Sequence, residues 1–148
     1  MGIGFQIFKK TAGIFIGFAA IIILIVFGLF WWSAETMCAN NEISSTSIPG
    51  TKYKVIVFER DCGATSGFST QASIIKSSAK LKNENGNIFT ADCDHGAAPA
   101  GPGGGPELRV KVIGPNSIEL AHHPRARVFD AQTNYEGISI KYSSIGNR

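Results

Sequence analysis

Asp92, Cys93, Asp94 and His95 are consecutive, and His122 and His123 are adjacent. Carboxylates, thiols and imidazoles bind divalent metals and move protons. Their spacing works against a shared metal. If a strand continues through residues 91–95, Asp92 and Asp94 take one face and Cys93 and His95 the other. Two ligands fall short of the four of a structural zinc site. Only a looped backbone would gather Asp92, Asp94 and His95, with His123 as a further ligand. The preferred role of the aspartates is to hydrogen-bond the following loop and fix its start. Adjacent strand residues also separate His122 from His123. His122 follows Ile118 and Leu120 on an inner face and reads as a packed core histidine, while His123 points outward.

Two glycine-rich stretches invite comparison with catalytic loops. In GATSG (63–67), Thr65 stands where G-x-S-x-G hydrolases carry serine. That elbow joins a strand to a helix on a parallel sheet, whereas here another strand-like run follows. An enzyme would need Asp61, Thr65, Asp94 and His95 to converge in one cleft, and a tight turn is the simpler reading. In GAAPAGPGGGPE (96–107), phosphate binding would call for backbone N–H groups leading into a helix and a closing GK[ST]. Pro99, Pro102 and Pro106 remove three donors, and the stretch enters a strand. It is either packed over its own sheet or presented as a stiff recognition loop, which costs little entropy to order on a partner. The chain is expected not to be an enzyme and to need no cofactor.

The elements that would hold these residues are strands. YKVIVFER places Tyr53, Val55 and Val57 on one face and Ile56 and Phe58 on the other, which predicts a central strand buried on both sides. ELRVKVI, SIELAH and ISIKY alternate with a period of two. GFSTQASII and NIFTAD are rich in β-branched and aromatic residues. Turn signals at Pro49-Gly50, Asn85-Gly86, Gly114-Pro115-Asn116 and Glu136-Gly137 separate these runs. The expected fold is a small all-β antiparallel domain over 42–148, a sandwich or small barrel of about seven or eight strands ordered as a meander of hairpins.

Ahead of it, residues 12–32 (AGIFIGFAAIIILIVFGLFWW) carry no charge. A helix of that length rises roughly 30 Å, the thickness of a bilayer's hydrocarbon layer. The expectation is a single N-terminal transmembrane helix over 12–32, closed by Trp31 and Trp32. Lys9 and Lys10 precede it, which puts 1–11 in the cytoplasm of a bacterial inner membrane and the β-domain outside. Residues 33–41 read as a polar tether. Of 14 Lys/Arg, those two precede the span, leaving 12 against 11 Asp/Glu. That balance, with no basic stripe among aromatics, argues against nucleic acid as a partner. Three cysteines, Cys38, Cys62 and Cys93, allow three single pairings, and outside the cytoplasm two of them are expected to pair.

Four strings, CANNE (38–42), FERDCGATSGFSTQASI (58–74), DHGAAPAGPGGGPELRV (94–110) and HHPRARVF (122–129), resemble a family of uncharacterised small bacterial single-pass envelope proteins. The resemblance implies no activity. It implies a Cys38–Cys62 pair, with Cys93 a departure from the pattern, and it groups the turn, the glycine-rich loop and HHPRAR as one surface. The expected function is binding: an accessory protein of an envelope complex, with an immunity or inhibitor protein and a metal- or small-ligand-binding domain as alternatives. The expected surface comprises Gly63, Thr65, Gly67, His95, Pro99, Pro102, Gly103, Gly104, Gly105, Arg125 and Arg127. Paired arginines beside a rigid loop suit a carboxylate-bearing protein partner.

Overall fold

The computed structural model describes residues 3–36, 38–63 and 67–146; within the first of these, side chains are described over 15–31. Thr65 lies outside the described residues. The chain forms two compact units, Met1–Met37 and Cys38–Arg148.

The first unit is one helix, α1 (Ile3–Thr36), free of proline and rich in isoleucine and phenylalanine. Its described side chains are all exposed. Among the described residues no helix is long and apolar enough to cross a membrane. The transmembrane helix expected over 12–32 is corrected on that finding: among the described residues the stretch does not qualify as a span. The side chains of Lys9, Lys10 and Trp32, on which the orientation argument rested, lie outside the described residues.

The second unit is all-β. Its strands are β1 (Ala39–Ser47), β2 (Tyr53–Asp61), β3 (Phe68–Lys76), β4 (Phe89–Asp92), β5 (Leu108–Gly114), β6 (Ser117–His122), β7 (Arg127–Ala131), β8 (Asn134–Tyr135) and β9 (Ile138–Ser144). They form a five-stranded sheet ordered β1-β2-β3-β4-β7 and a four-stranded sheet ordered β5-β6-β9-β8. The core draws Val55, Val57, Ala72, Ile74, Phe89 and Ala91 from the first and Ile118, Leu120, Ile138 and Ile140 from the second. This is a sandwich, one of the two architectures expected.

Three details depart from expectation. Residues 39–41, assigned to the tether, open β1. The strands do not follow one another as a meander, because β7 leaves the second sheet's neighbours to pair with β4. β6 and β9 pair in parallel, with Ile118 beside Ile140 and Leu120 beside Tyr142. A parallel pair needs a crossover, and the excursion through β7 and β8 supplies it.

β2 is buried on both faces, as its run of apolar residues implies. Val55 and Val57 face the core, while Ile56 and Phe58 face away from it and are nonetheless 0% exposed. The connection from β3 to β4 covers them. It is tied to β1, where the Asn40 amide donates to the carbonyls of Lys82 (2.9 Å) and Glu84 (2.7 Å). It is also tied to β3, where Gly86 N–H donates to Gln71 Oε1 (2.6 Å). Since β2 lies between β1 and β3, this strap crosses it. Asn85-Gly86 therefore sits in the strap rather than in a hairpin turn. Glu136 and Gly137, with φ of 50° and 80°, do form the turn expected of them, between β8 and β9.

Candidate functional site

One end of the five-stranded sheet collects several of the residues singled out from the sequence, whereas Pro99 and His123 lie beside Arg109, Ala121 and Ser144 of the second sheet. In register, Ala39 pairs with Asp61 and Asp61 with Phe68, while Ser69 pairs with Asp92 and Asp92 with Arg127. β1, β3 and β7 thus begin where β2 and β4 end. Cys38 and Cys62 extend the first of these rows and are joined by a disulfide. The Asp61 carboxylate accepts Gly63 N–H at 2.8 Å.

β4 stops at Asp92, so the alternation expected through His95 ends there. Asp94 (φ 45°), His95 (φ 54°) and Gly96 (φ 89°) take three consecutive left-handed conformations. This costs on the order of 1 kcal/mol for each non-glycine residue. Asp92 Oδ1 offsets it by accepting Asp94 N–H at 2.8 Å, and Cys93 O accepts the N–H groups of Gly96 and Ala98, both at 3.0 Å. Arg127 holds both Asp92 oxygens, Nε reaching Oδ1 at 3.2 Å and Nη2 reaching Oδ2. Its Nη1 lies 3.7 Å from Asp94. Partial burial pushes the Asp92 carboxyl up. The bonds from Arg127 and Asp94 N–H, with the charges of Arg127 and His95, outweigh that and hold it below its ordinary value.

These contacts occupy the carboxylates that a metal would use. His95 is exposed. Among the described residues no three His, Cys, Asp or Glu side chains gather in a way that could hold a metal. His123 is not on an outward face: it is 9% exposed, and its Nδ1 accepts Arg125 N–H at 3.2 Å. β6 ends at His122, so strand alternation no longer governs the next residue. His122 packs as expected, its ring 5.4 Å from that of Phe89 and 6.5 Å from that of Tyr142.

The glycine-rich loop lies over its own sheet, beyond the part of the core face that the second sheet covers. Ala98, Gly105 and Pro106 are buried, while Pro99 and Pro102 are exposed. A Cβ at Gly105 would stand 2.5 Å from Thr70 Oγ1 and 2.6 Å from Thr70 N; one at Gly103 would stand 2.7 Å from Ile43 Cδ1. Glycine lets the loop backbone approach β1 and β3 this closely. Gly104 sits against Phe68 and accepts the Cys93 thiol at 3.7 Å. Burial, helped by the Asp92 charge, pushes that thiol's pKa up, which disfavours the nucleophilic thiolate. Arg125 is exposed in the turn that follows His123.

Two residues in this region escape the sequence patterns. The β4–β7 register passes from Ala91↔Val128 to Thr90↔Asp130 and leaves Phe129 without a partner, a β-bulge. Bulges re-aim side chains at sheet edges. Here Phe129 stands 60% exposed, with the Arg127 guanidinium 5.0 Å from its ring centre. The only signal is an aromatic set between Arg127 and Asp130 in a short run. The second is Arg60, which with Ser69, Gln71, Thr90, Asp92 and Phe129 lines a groove of about 300 Å³ on the sheet's outer face. Nothing in FERD marks Arg60 from neighbouring charged residues. Compared with known proteins, the chain matches no family model, no curated protein and no solved structure.

Proposed function

We propose that the chain is an extracytoplasmic interaction protein, an accessory component of an envelope assembly, that holds a protein partner at the disulfide-linked end of its five-stranded sheet. The observation that carries this reading is Phe129. A bulge turns a large aromatic ring into solvent beside a groove, and exposed aromatics next to arginine are the usual anchors of protein interfaces. Around it, the Asp92–Arg127 pair and the packed loop give a rigid frame, so little ordering entropy opposes binding. The Cys38–Cys62 bridge supports an oxidising compartment.

The test is site-specific photocrosslinking in native envelopes, with the reactive residue at position 129 and, as a control, at Lys141 on the second sheet. A discrete adduct at position 129 that is missing at 141, and lost when Arg127 is changed to Ser, is the expected result. Identical adducts from both positions would remove the basis for this surface.

A further inference from the structure

Arg60 is half-buried in the groove beside Phe129. Its Nη1 donates to Asn40 Oδ1 (2.7 Å) and Asn83 Oδ1 (3.2 Å), both neutral acceptors. These amides are themselves fixed, Asn40 by two strap carbonyls and Asn83 by the Cys38 carbonyl at 2.6 Å. Among the described residues the guanidinium is therefore held in place by neutral groups alone. Among the described residues no carboxylate forms an ion pair with it, and its Nε and Nη2 make no hydrogen bond. The other cation of the groove differs: Arg127 is matched by Asp92 and Asp94.

We propose that Arg60 is the receptor for a carboxylate on a peptide partner, with Phe129 taking the apolar side chain next to it; this rests on the interaction reading above. A partly buried charge without a partner is costly, and a preorganised guanidinium edge matches a carboxylate through two parallel hydrogen bonds. One positive charge unmatched among the described residues suits a singly charged carboxylate better than a phosphate dianion. A volume of about 300 Å³ accommodates a segment of about two residues. The carboxylate can be a chain terminus or an Asp or Glu side chain.

The full chain is titrated with three probes while arginine Nε–H resonances are followed by NMR: acetyl-Ala-Phe as the free acid, the same dipeptide as its amide, and acetyl-Asp-Phe amide. A carboxylate-bearing probe is expected to shift the Arg60 Nε–H with saturation, and the uncharged amide to bind at least about tenfold more weakly. Binding by the free acid alone assigns a chain terminus; binding by the aspartyl peptide, alone or with the free acid, assigns a side-chain carboxylate. Arg60→Gln should abolish the effect, and Arg60→Lys, which keeps charge without the planar fork, should retain part of it. The proposal is overturned if neither carboxylate probe moves the Arg60 signal, if the amide binds equally well, or if a folded Arg60→Gln protein binds undiminished. A position-129 adduct together with a silent Arg60 leaves the interaction reading standing and removes this one.

Discussion

The side chain of Asn87 completes the hydrogen bonding of Ile74: its Oδ1 accepts Ile74 N–H at 2.9 Å, and its Nδ2 donates to Ile74 O at 3.0 Å. β4 pairs with β3 only as far as Ala72↔Phe89, so Asn87 carries the ladder one step further with an amide in place of backbone. The N–H and C=O of a strand residue point to the same edge, and those of Ile74 both meet Asn87, as at a non-hydrogen-bonded position of the β2–β3 pair.

Asn87→Ala should therefore destabilise the β-domain by about 2–3 kcal/mol, since it leaves a buried donor and a buried acceptor unpaired. Asn87→Asp should also destabilise it, because an acceptor would then face the Ile74 carbonyl. Equilibrium urea unfolding checks both, and a loss below about 0.5 kcal/mol for the alanine variant would show that water replaces the amide.

How much of this was legible in advance depends on the reach of each interaction. The period of two in YKVIVFER and SIELAH reports a local geometry, and those strands stand where expected. The burial of Ile56 and Phe58 was legible as a fact, though not that a strap pinned by Asn40 and Asn87 causes it. The parallel β6–β9 pair brings together residues about 20 positions apart in sequence, and alternation looks the same in either direction. At Phe129 one unpaired residue overrides alternation, and at His123 the strand has simply ended. The glycine-rich loop allowed two packings on composition alone; the close approach of Gly105 to Thr70, which selects one, exists only once β3 is in place.

That approach sets the second prediction. Gly105→Ala puts a methyl group 2.6 Å from the backbone nitrogen of Thr70, and backbone cannot rotate away. The loop must lift, at a cost of about 1–3 kcal/mol. Pro102→Ala, at an exposed position of the same loop, should stay within about 0.5 kcal/mol of the parent. Thermal unfolding of the two variants side by side separates a packed loop from a presented one; equal stabilities would favour the latter.

The third prediction concerns acid. The folded state holds the Asp92 carboxyl below its ordinary value of 3.8. A depressed carboxyl stabilises the fold above its unfolded value, and this contribution disappears as pH falls through the folded value. Stability should thus decline below about pH 4, and Asp92→Asn should flatten that decline while lowering stability at neutral pH. Urea midpoints from pH 2 to pH 7 on parent and variant test this, and parallel acid limbs would place the titration elsewhere.

The fourth prediction concerns alkali. The Tyr142 hydroxyl lies 2.7 Å from the Gln132 carbonyl and 3.0 Å from that of Ile88, where it donates. Its ring lies 6.0 Å from Phe89 in a near-parallel arrangement. Burial, with the negative charge of Asp130 adding to it, pushes its pKa up from 10.0 to about 12. A phenol whose folded value is raised favours the fold at every pH below its unfolded value, and the advantage is lost as pH rises from 10.0 toward about 12. Tyr142→Phe removes a hydrogen bond, worth about 1 kcal/mol at neutral pH, and should be nearly insensitive to pH across that window. Stability of the two proteins should therefore converge as the solution becomes more alkaline. Spectrophotometric titration at the phenolate band gives an independent readout, in which a component lost in the Tyr142→Phe variant ionises toward about 12. A parent protein that keeps its full advantage over the variant above pH 12 would contradict the raised pKa.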